Sequence, residues 1–136
     1  MKKLLLITLL AFGLNSTASD GYWNPNGLYY ASFLEGDIVQ IYEAGGNLIG
    51  SIENVEDLEW QPNGNRFVTL SPNFVAQLYN VEAGMLVPIG ASIKEVDEIN
   101  WSPDGTTFEA VSDFYSNFGR KAYTFKANGD LIGIDI

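Results

Sequence analysis

Apolar and polar side chains alternate in short runs along most of the chain, and turn-forming residues separate the runs. In residues 37–43, Val39 and Ile41 fall on one face of an extended strand and Gln40 on the other. The pattern predicts short antiparallel strands joined by tight turns, and therefore an all-β fold. The predicted strands are 28–34, 37–43, 48–53, 55–60, 66–70, 74–81, 86–93, 96–101, 107–111, 120–126 and 131–136.

A five-residue signature, Trp-x-Pro-[Asn/Asp]-Gly, occurs three times, at spacings of 37 and 41 residues. Four short strands belong to each of the first two intervals, which is the strand content of a propeller blade. The signature therefore predicts three four-stranded antiparallel blades of the propeller type. Its fixed residues are Trp23, Pro25 and Gly27, then Trp60, Pro62 and Gly64, and finally Trp101, Pro103 and Gly105.

The chemistry of the signature is that of a tight turn. Proline fixes φ, Asn or Asp accepts backbone hydrogen bonds, and glycine adopts the positive φ that follows. The tryptophan ends a strand, where its ring can be buried between sheets. We interpret these residues as structural, and the alternative is a row of aromatic rings that binds a ligand.

Residues 101–105, Trp-Ser-Pro-Asp-Gly, together with the two related turns and the apolar strands that follow them, resemble the WD-like repeat of TolB-type periplasmic propellers. The resemblance covers essentially the whole chain after residue 18 and implies a propeller fold. That family includes binding scaffolds, peptidase-associated propellers and many proteins of unassigned role. Its propellers close with about six or more blades, whereas this sequence has three repeats.

The strand count predicts how the blades are completed. We place the blades at about 24–60, 61–101 and 102–136, within one domain at 19–136. The third repeat lacks a final strand that ends in Trp, and the segment 19–23, which contains Tyr22, belongs to no preceding repeat. We therefore expect the last blade to be completed by an N-terminal strand, supplied by another subunit.

The strand that the N-terminal segment would cover is the last one, at 131–136. Its apolar residues make an unpaired edge strand that a second chain can cover by β-strand addition. Such a contact is head to tail, so it produces a homo-oligomer that is either a closed ring or an open filament or tube. The edge residues are Leu131, Ile132, Ile134 and Ile136.

The first 18 residues read as a secretory signal peptide. Lys2 and Lys3 precede an apolar run at 4–14, and Ser16 and Ala18 occupy the small-residue positions of a cleavage site. The run is too short to span a bilayer. We expect an exported protein, extracellular or periplasmic, with no membrane span in its mature form. The chain has no cysteine, so disulfides cannot support it and association with other chains becomes more important.

The negative charge argues against nucleic acids and anionic membranes as partners. The formal net charge is −10, and loss of Lys2 and Lys3 with the signal makes it more negative still. Nucleic acids and anionic membranes require a basic patch, which this sequence lacks.

Candidate chemistry is sparse, and we expect no enzyme and no cofactor. The chain has no histidine and no cysteine, which removes the commonest general base and most nucleophile pairs. The remaining acid–base candidates are carboxylates at matching places in the first two repeats, which we interpret as solvated loops. The Asn- and Asp-rich turns lack the alternating ligand run of a calcium loop, although calcium binding stays open. The carboxylates are Glu53, Glu56, Asp57, Glu59, Glu95, Asp97 and Glu98.

A loop at 112–119 is the most distinctive segment outside the repeats. Its rings Phe114, Tyr115 and Phe118, with Arg120 beside them, suit either a binding surface or a contact between subunits. The sequence thus favours a non-enzymatic, exported structural protein that self-assembles through β-strand exchange between blades, into a ring or filament. The alternative is a periplasmic propeller module that binds a protein or a glycan.

Overall fold

The computed structural model describes residues 21–113 and 120–135. The predicted signal peptide at 1–18, the loop residues Phe114, Tyr115 and Phe118, and the terminal Ile136 lie outside the described residues. Their predicted roles stay predictions.

Twelve strands and no helix make up the described residues, in agreement with the alternating sequence pattern. Among these residues, accordingly, no helix has the length and apolar character needed to cross a membrane. The strands are β1 Gly21–Trp23, β2 Tyr29–Leu34, β3 Ile38–Glu43, β4 Leu48–Glu53, β5 Asp57–Trp60, β6 Arg66–Leu70, β7 Val75–Glu82, β8 Met85–Lys94, β9 Glu98–Trp101, β10 Thr107–Ser112, β11 Lys121–Lys126 and β12 Leu131–Asp135.

The strands form three separate four-stranded sheets, in which each strand pairs antiparallel with its neighbours in sequence. Strands β1 to β4 are blade 1, β5 to β8 are blade 2, and β9 to β12 are blade 3. The predicted all-β class with three four-stranded antiparallel blades is confirmed.

The predicted completion of the last blade is wrong. Strand β9 already supplies its fourth strand, and the N-terminal strand β1 pairs with β2 of its own chain, with Trp23 opposite Tyr30. The reason is the geometry of the signature turn. The N–H of Gly27 donates to the carbonyl of Asn24, and the N–H of Asn24 donates to that of Tyr29, both at 2.9 Å. These bonds close a hairpin, so the strands on either side must be neighbours in one sheet.

Two apolar clusters hold the three blades together, one in each seam between neighbouring blades. Strand alternation places one face of β2 and β3 toward blade 2, and one face of β6 and β7 toward blade 3. The first cluster is Ala31, Phe33, Val39, Ile41, Val55, Leu58, Phe67 and Val81, and the second is Val68, Ala76, Leu78, Val96, Ile99, Phe108 and Ala110.

The seams should carry most of the stability, and two phenylalanines of blade 2 test this. Phe67 is fully buried in the first seam, whereas Phe74, in the turn between β6 and β7, is 45 % exposed. We expect Phe67→Ala to lower the free energy of unfolding by about 3–5 kcal/mol. The control Phe74→Ala should cost about 1 kcal/mol or less. Urea denaturation measures both, and equal losses would contradict the assignment of stability to the seams.

Candidate interaction surface

Each blade carries one row of large side chains that crosses all four of its strands. The strand registers place these residues directly opposite one another, so their side chains share a face. We call this set the aromatic row of the blade. The rows are Trp23, Tyr30, Tyr42 and Leu48 in blade 1; Trp60, Phe67, Tyr79 and Pro88 in blade 2; and Trp101, Phe108, Phe125 and Leu131 in blade 3.

The rings within a row contact one another with the same geometry from blade to blade. The Trp60 and Phe67 centroids lie 5.0 Å apart at 64°, and Phe67 stacks on Tyr79 at 5.2 Å and 15°. In blade 3 the equivalent pairs measure 5.0 Å at 51° and 5.2 Å at 13°. In blade 1, Trp23 lies 5.0 Å from Tyr30 at 57°. The repeat is therefore a repeat of side-chain packing as well as of sequence.

The rows of blades 2 and 3 form the seams. Phe67 packs into the cluster that contains Ala31 and Ile41 of blade 1, and Phe108 packs into the next cluster with Val68 and Leu78 of blade 2. Each row thus meets the aliphatic face of the blade that precedes it.

A hydrogen bond accompanies each of these contacts. The indole N–H of Trp60 donates to the carbonyl of Tyr22 at 3.2 Å, and that of Trp101 donates to the carbonyl of Glu59 at 3.0 Å. Both acceptors are the residue before the tryptophan of the preceding blade. A seam therefore consists of an aromatic row, an aliphatic face and one indole-to-carbonyl bond.

The row of blade 1 is exposed because no described residue covers it. Trp23 is 56 % exposed, whereas Trp60 and Trp101 are half-buried in their seams. The row residues on the outermost strands, Leu48, Pro88 and Leu131, are exposed in all three blades. The Trp23 indole N–H finds no acceptor among the described residues, unlike the other two. We call this surface, made by Trp23, Tyr30, Tyr42 and Leu48, the head face.

The opposite end of the array differs in composition. We call the far face of β10 and β11 the tail face. Its positions match the aliphatic face that receives a row in the other blades, but Glu109 and Thr124 replace two aliphatic residues. Both are partly exposed, while Val111 and Ala122 are buried. The tail face is Glu109, Val111, Ala122 and Thr124, and its equivalents in blade 1 are Ala31, Phe33, Val39 and Ile41.

The signature turns are linked by side-chain amides that run from each blade to the next. Asn24 Nδ2 donates to the carbonyl of Gly64 at 3.3 Å, and Gln61 Nε2 donates to that of Gly105 at 2.8 Å. Asn63 Nδ2 adds a bond to the carbonyl of Asp104 at 2.7 Å. The side chain of Asn24 also receives two backbone N–H groups, so this buried amide is fully used.

The turn of blade 3 closes on itself instead. The Asp104 carboxylate accepts from Ser102 Oγ at 2.7 Å, from the Thr106 N–H at 3.1 Å and from Thr106 Oγ1 at 2.8 Å. These bonds, that from Ser102 first, lower the pKa of the Asp104 carboxyl below its usual value. No amide at this turn reaches out to a further blade, because the positions of Asn24 and Asn26 hold Ser102 and Asp104.

This lowered pKa predicts a small acid-sensitive contribution to stability. Because the folded pKa lies below the unfolded value of about 3.9, the contribution is complete above that value and is lost as the pH falls through the folded pKa. Asp104→Asn, which restores the residue found at Asn26 and Asn63, should therefore be less stable than wild type at pH 7. Denaturation series between pH 7 and pH 2.5 should show this difference shrinking below about pH 4. A difference that is the same at both extremes would contradict the role of the carboxylate.

An acidic groove is lined by residues of β1 and β5, of the β6–β7 connection and of the segment before β9. It has a volume of about 510 Å³ and gathers four of the predicted carboxylates: Glu56, Asp57, Glu59 and Asp97. Asp97 accepts a hydrogen bond from the N–H of Asp113 at 2.7 Å. Within the described ranges no group of His, Cys, Asp or Glu is arranged to hold a metal ion. The groove is also lined by Tyr22, Leu70, Ser71 and Phe74.

The other residues predicted as sites lie at two places. Pro25, Pro62 and Pro103 are in the signature turns, where Gly27 and Gly105 have positive φ values of 78° and 73°. Gly64 does not, so the glycine conformation expected for this turn is absent from blade 2.

Blade 3 carries the remaining predicted residues. Leu131, Ile132 and Ile134 lie exposed on β12, the edge strand of that blade, and Arg120 is exposed just before β11. The structure does not bring β12 together with Tyr22, which pairs with Ala31 in blade 1.

Sequence reasoning missed the head face, although a signal for it exists. An aromatic residue follows each signature tryptophan after seven positions, at Tyr30, Phe67 and Phe108. If the tryptophan and this aromatic residue are taken to lie opposite each other across the hairpin, the spacing predicts the first two members of each aromatic row.

Comparisons with known proteins identify the fold. No family model matches the chain, and no curated protein matches its sequence. Among solved structures it is similar to the β-propeller domain of Cps50 (Swd1) from Myceliophteria thermophila, with TM-score 0.60 and 13 % identity over 85 % of this chain and 41 % of that one.

Two further solved structures align over the same 85 % of the chain. They are the C-terminal WD40 domain of Sif2, with TM-score 0.62, 14 % identity and 33 % of its length, and a eukaryotic initiation factor, with TM-score 0.64, 12 % identity and 31 % of its length. The chain thus spans about a third to two fifths of the structures it matches. It has the fold of a propeller arc of three blades with WD-like repeats.

Proposed function

We propose that this protein is a non-enzymatic, exported structural module that associates with itself through the head face. The carrying observation is that blade 1 presents outward, at Trp23, the row whose tryptophan and central ring blades 2 and 3 pack into their seams. Large exposed apolar surfaces with polar surroundings are typical of interaction sites. The lysines and apolar run at the start of the sequence support export.

The association proposed uses blade faces and does not use strand exchange. Strand β1 is hydrogen-bonded to β2 in its own blade, so donating it to another chain would break three paired positions. A face-to-face contact leaves every sheet intact and reuses packing that the chain already makes twice. The high negative charge opposes association, so the contact should strengthen as salt screens the repulsion.

One tryptophan and one leucine of the rows test the proposal. Trp23 is 56 % exposed in the row of blade 1, whereas Leu131 is 51 % exposed although the row of blade 3 already forms a seam. We expect light scattering to give a mass above that of one chain for wild type at micromolar to millimolar concentration and about 0.15 M salt. Trp23→Lys should raise the dissociation constant at least tenfold, because it places a charge in the contact. Leu131→Lys, the control at an exposed row position, should leave it unchanged.

A protein that stays at the mass of one chain at every concentration and salt would overturn this proposal. It would favour a second candidate, a binding module whose acidic groove docks a basic segment of another protein. The groove supports that candidate because it combines four carboxylates with the partly exposed rings of Tyr22 and Phe74. An equal loss of mass in Leu131→Lys would instead place the contact at the exposed edge of β12.

A further inference from the structure

We infer that the head face of one copy docks on the tail face of a second copy, so that two chains close a six-bladed ring. This inference rests on the proposed self-association and specifies its partner surface. The proposed assembly is a symmetric dimer in which the two chains meet at two identical seams.

The two interior seams define how blades follow one another. In each, the row of one blade meets the far face of the blade before it, and successive blades lie along an arc that superimposes on WD40 propellers. A second copy that continues this arc places its blade 3 in front of the head face. Two arcs of three blades make six, within the roughly four to eight of closed propellers. A head-to-tail contact whose rotation closes gives a ring and no filament.

The chemistry of the two outer faces differs from that of the interior seams. In the interior seams, Phe67 and Phe108 pack against aliphatic residues. On the head face the equivalent residue is Tyr30, while its row neighbour Tyr42 corresponds to Tyr79 of blade 2 and donates its hydroxyl to Gln40 Oε1 at 2.8 Å. On the tail face, Glu109 and Thr124 supply polar atoms at the receiving positions. The seam between copies therefore has Tyr30 where the interior seams have Phe67 and Phe108, and it has a more polar receiving face.

The indole bond of the seams also has a predicted counterpart. Trp60 and Trp101 donate to the carbonyl of the residue before the preceding tryptophan. The corresponding residue of blade 3 is Asn100, which lies opposite Glu109 in the sheet. In the ring, the Trp23 indole N–H of one copy donates to the Asn100 carbonyl of the other.

The seam between copies should be weaker than the interior seams, because it lacks the hydrogen bond between signature turns. Ser102 and Asp104 bond within their own turn, so no amide passes from blade 3 to the signature turn of the next copy. The seam between copies therefore lacks the turn-to-turn bond present in both interior seams. We expect a reversible dimer rather than a permanent one.

A contact between two head faces is the competing arrangement. It sets one aromatic row against another, offers Trp23 no carbonyl in the repeat-equivalent place and leaves Glu109 outside the interface. It repeats none of the contacts seen in the interior seams.

Cross-linking distinguishes the two arrangements, because the chain has no cysteine of its own. One variant carries Ser51→Cys on the exposed side of blade 1 that holds the head face, and another carries Thr124→Cys on the tail face. Packed sheets lie about 10 Å apart, beyond the reach of a disulfide, so a short bis-maleimide reagent is used. The variants are mixed at low concentration, concentrated and treated. Thr124→Cys mixed with Met85→Cys, on the outer hairpin of blade 2, is the control.

We expect cross-linked dimers from the mixture of Ser51→Cys and Thr124→Cys, and at least tenfold less from either variant alone or from the control mixture. Efficient cross-linking of Ser51→Cys alone would overturn the head-to-tail inference and leave the proposed self-association standing. Absence of cross-links in every mixture, at concentrations where light scattering finds dimers, would also overturn it. A single-chain mass throughout would instead defeat the proposed function itself.

Discussion

The docking of one aromatic row on the aliphatic face of the preceding blade is the interaction on which this structure depends. A single four-stranded sheet leaves both of its faces open to water, so its apolar face must be buried against another element to make a core. In the seams, Phe67 and Phe108 become fully buried, and the indoles of Trp60 and Trp101 reach a carbonyl of the neighbouring blade. Each blade is thus stabilised by the one before it, as in repeat proteins whose units contact only their neighbours.

This dependence explains why the two ends of the array differ from its middle. Blade 1 has the row but no preceding blade among the described residues, so Trp23 is exposed. Blade 3 receives no row from the described residues, and it places Glu109 and Thr124 where the other blades have aliphatic residues. Its signature turn is closed by Asp104 instead of reaching forward through an amide. We therefore propose that the head face of one copy and the tail face of another form a further seam, and that the protein associates with itself in this way.

Much of the fold follows from the sequence, because strand alternation and the signature turn are local properties. The strand found at Ile38–Glu43 lies within one residue of its predicted limits, and all three signature turns are hairpins. The grouping of strands into blades was not predictable in the same way. Whether Trp23 ends one blade or begins the next depends on hydrogen bonds of the turn at Asn24 and Gly27, which composition alone does not reveal.

The candidate surfaces were harder to predict because they depend on contacts between distant residues. Glu56 and Asp97 are far apart in sequence and meet in one groove only because the blades stack. The head face needs the register of four strands, which sets Leu48 opposite Tyr42 through a bulge in the ladder. Such a bulge shifts a strand by one position and is invisible to a period-two pattern.

The three tryptophans offer the most direct test, since each reports on one seam. The indole N–H exchange rates of Trp23, Trp60 and Trp101 can be followed separately by NMR as the protein concentration is raised. Trp60 and Trp101 should be protected at every concentration, because their bonds lie within one chain. Trp23 should exchange rapidly in dilute solution and become protected as dimers form. A Trp23 indole that still exchanges rapidly at the highest concentration would contradict the docking of the head face.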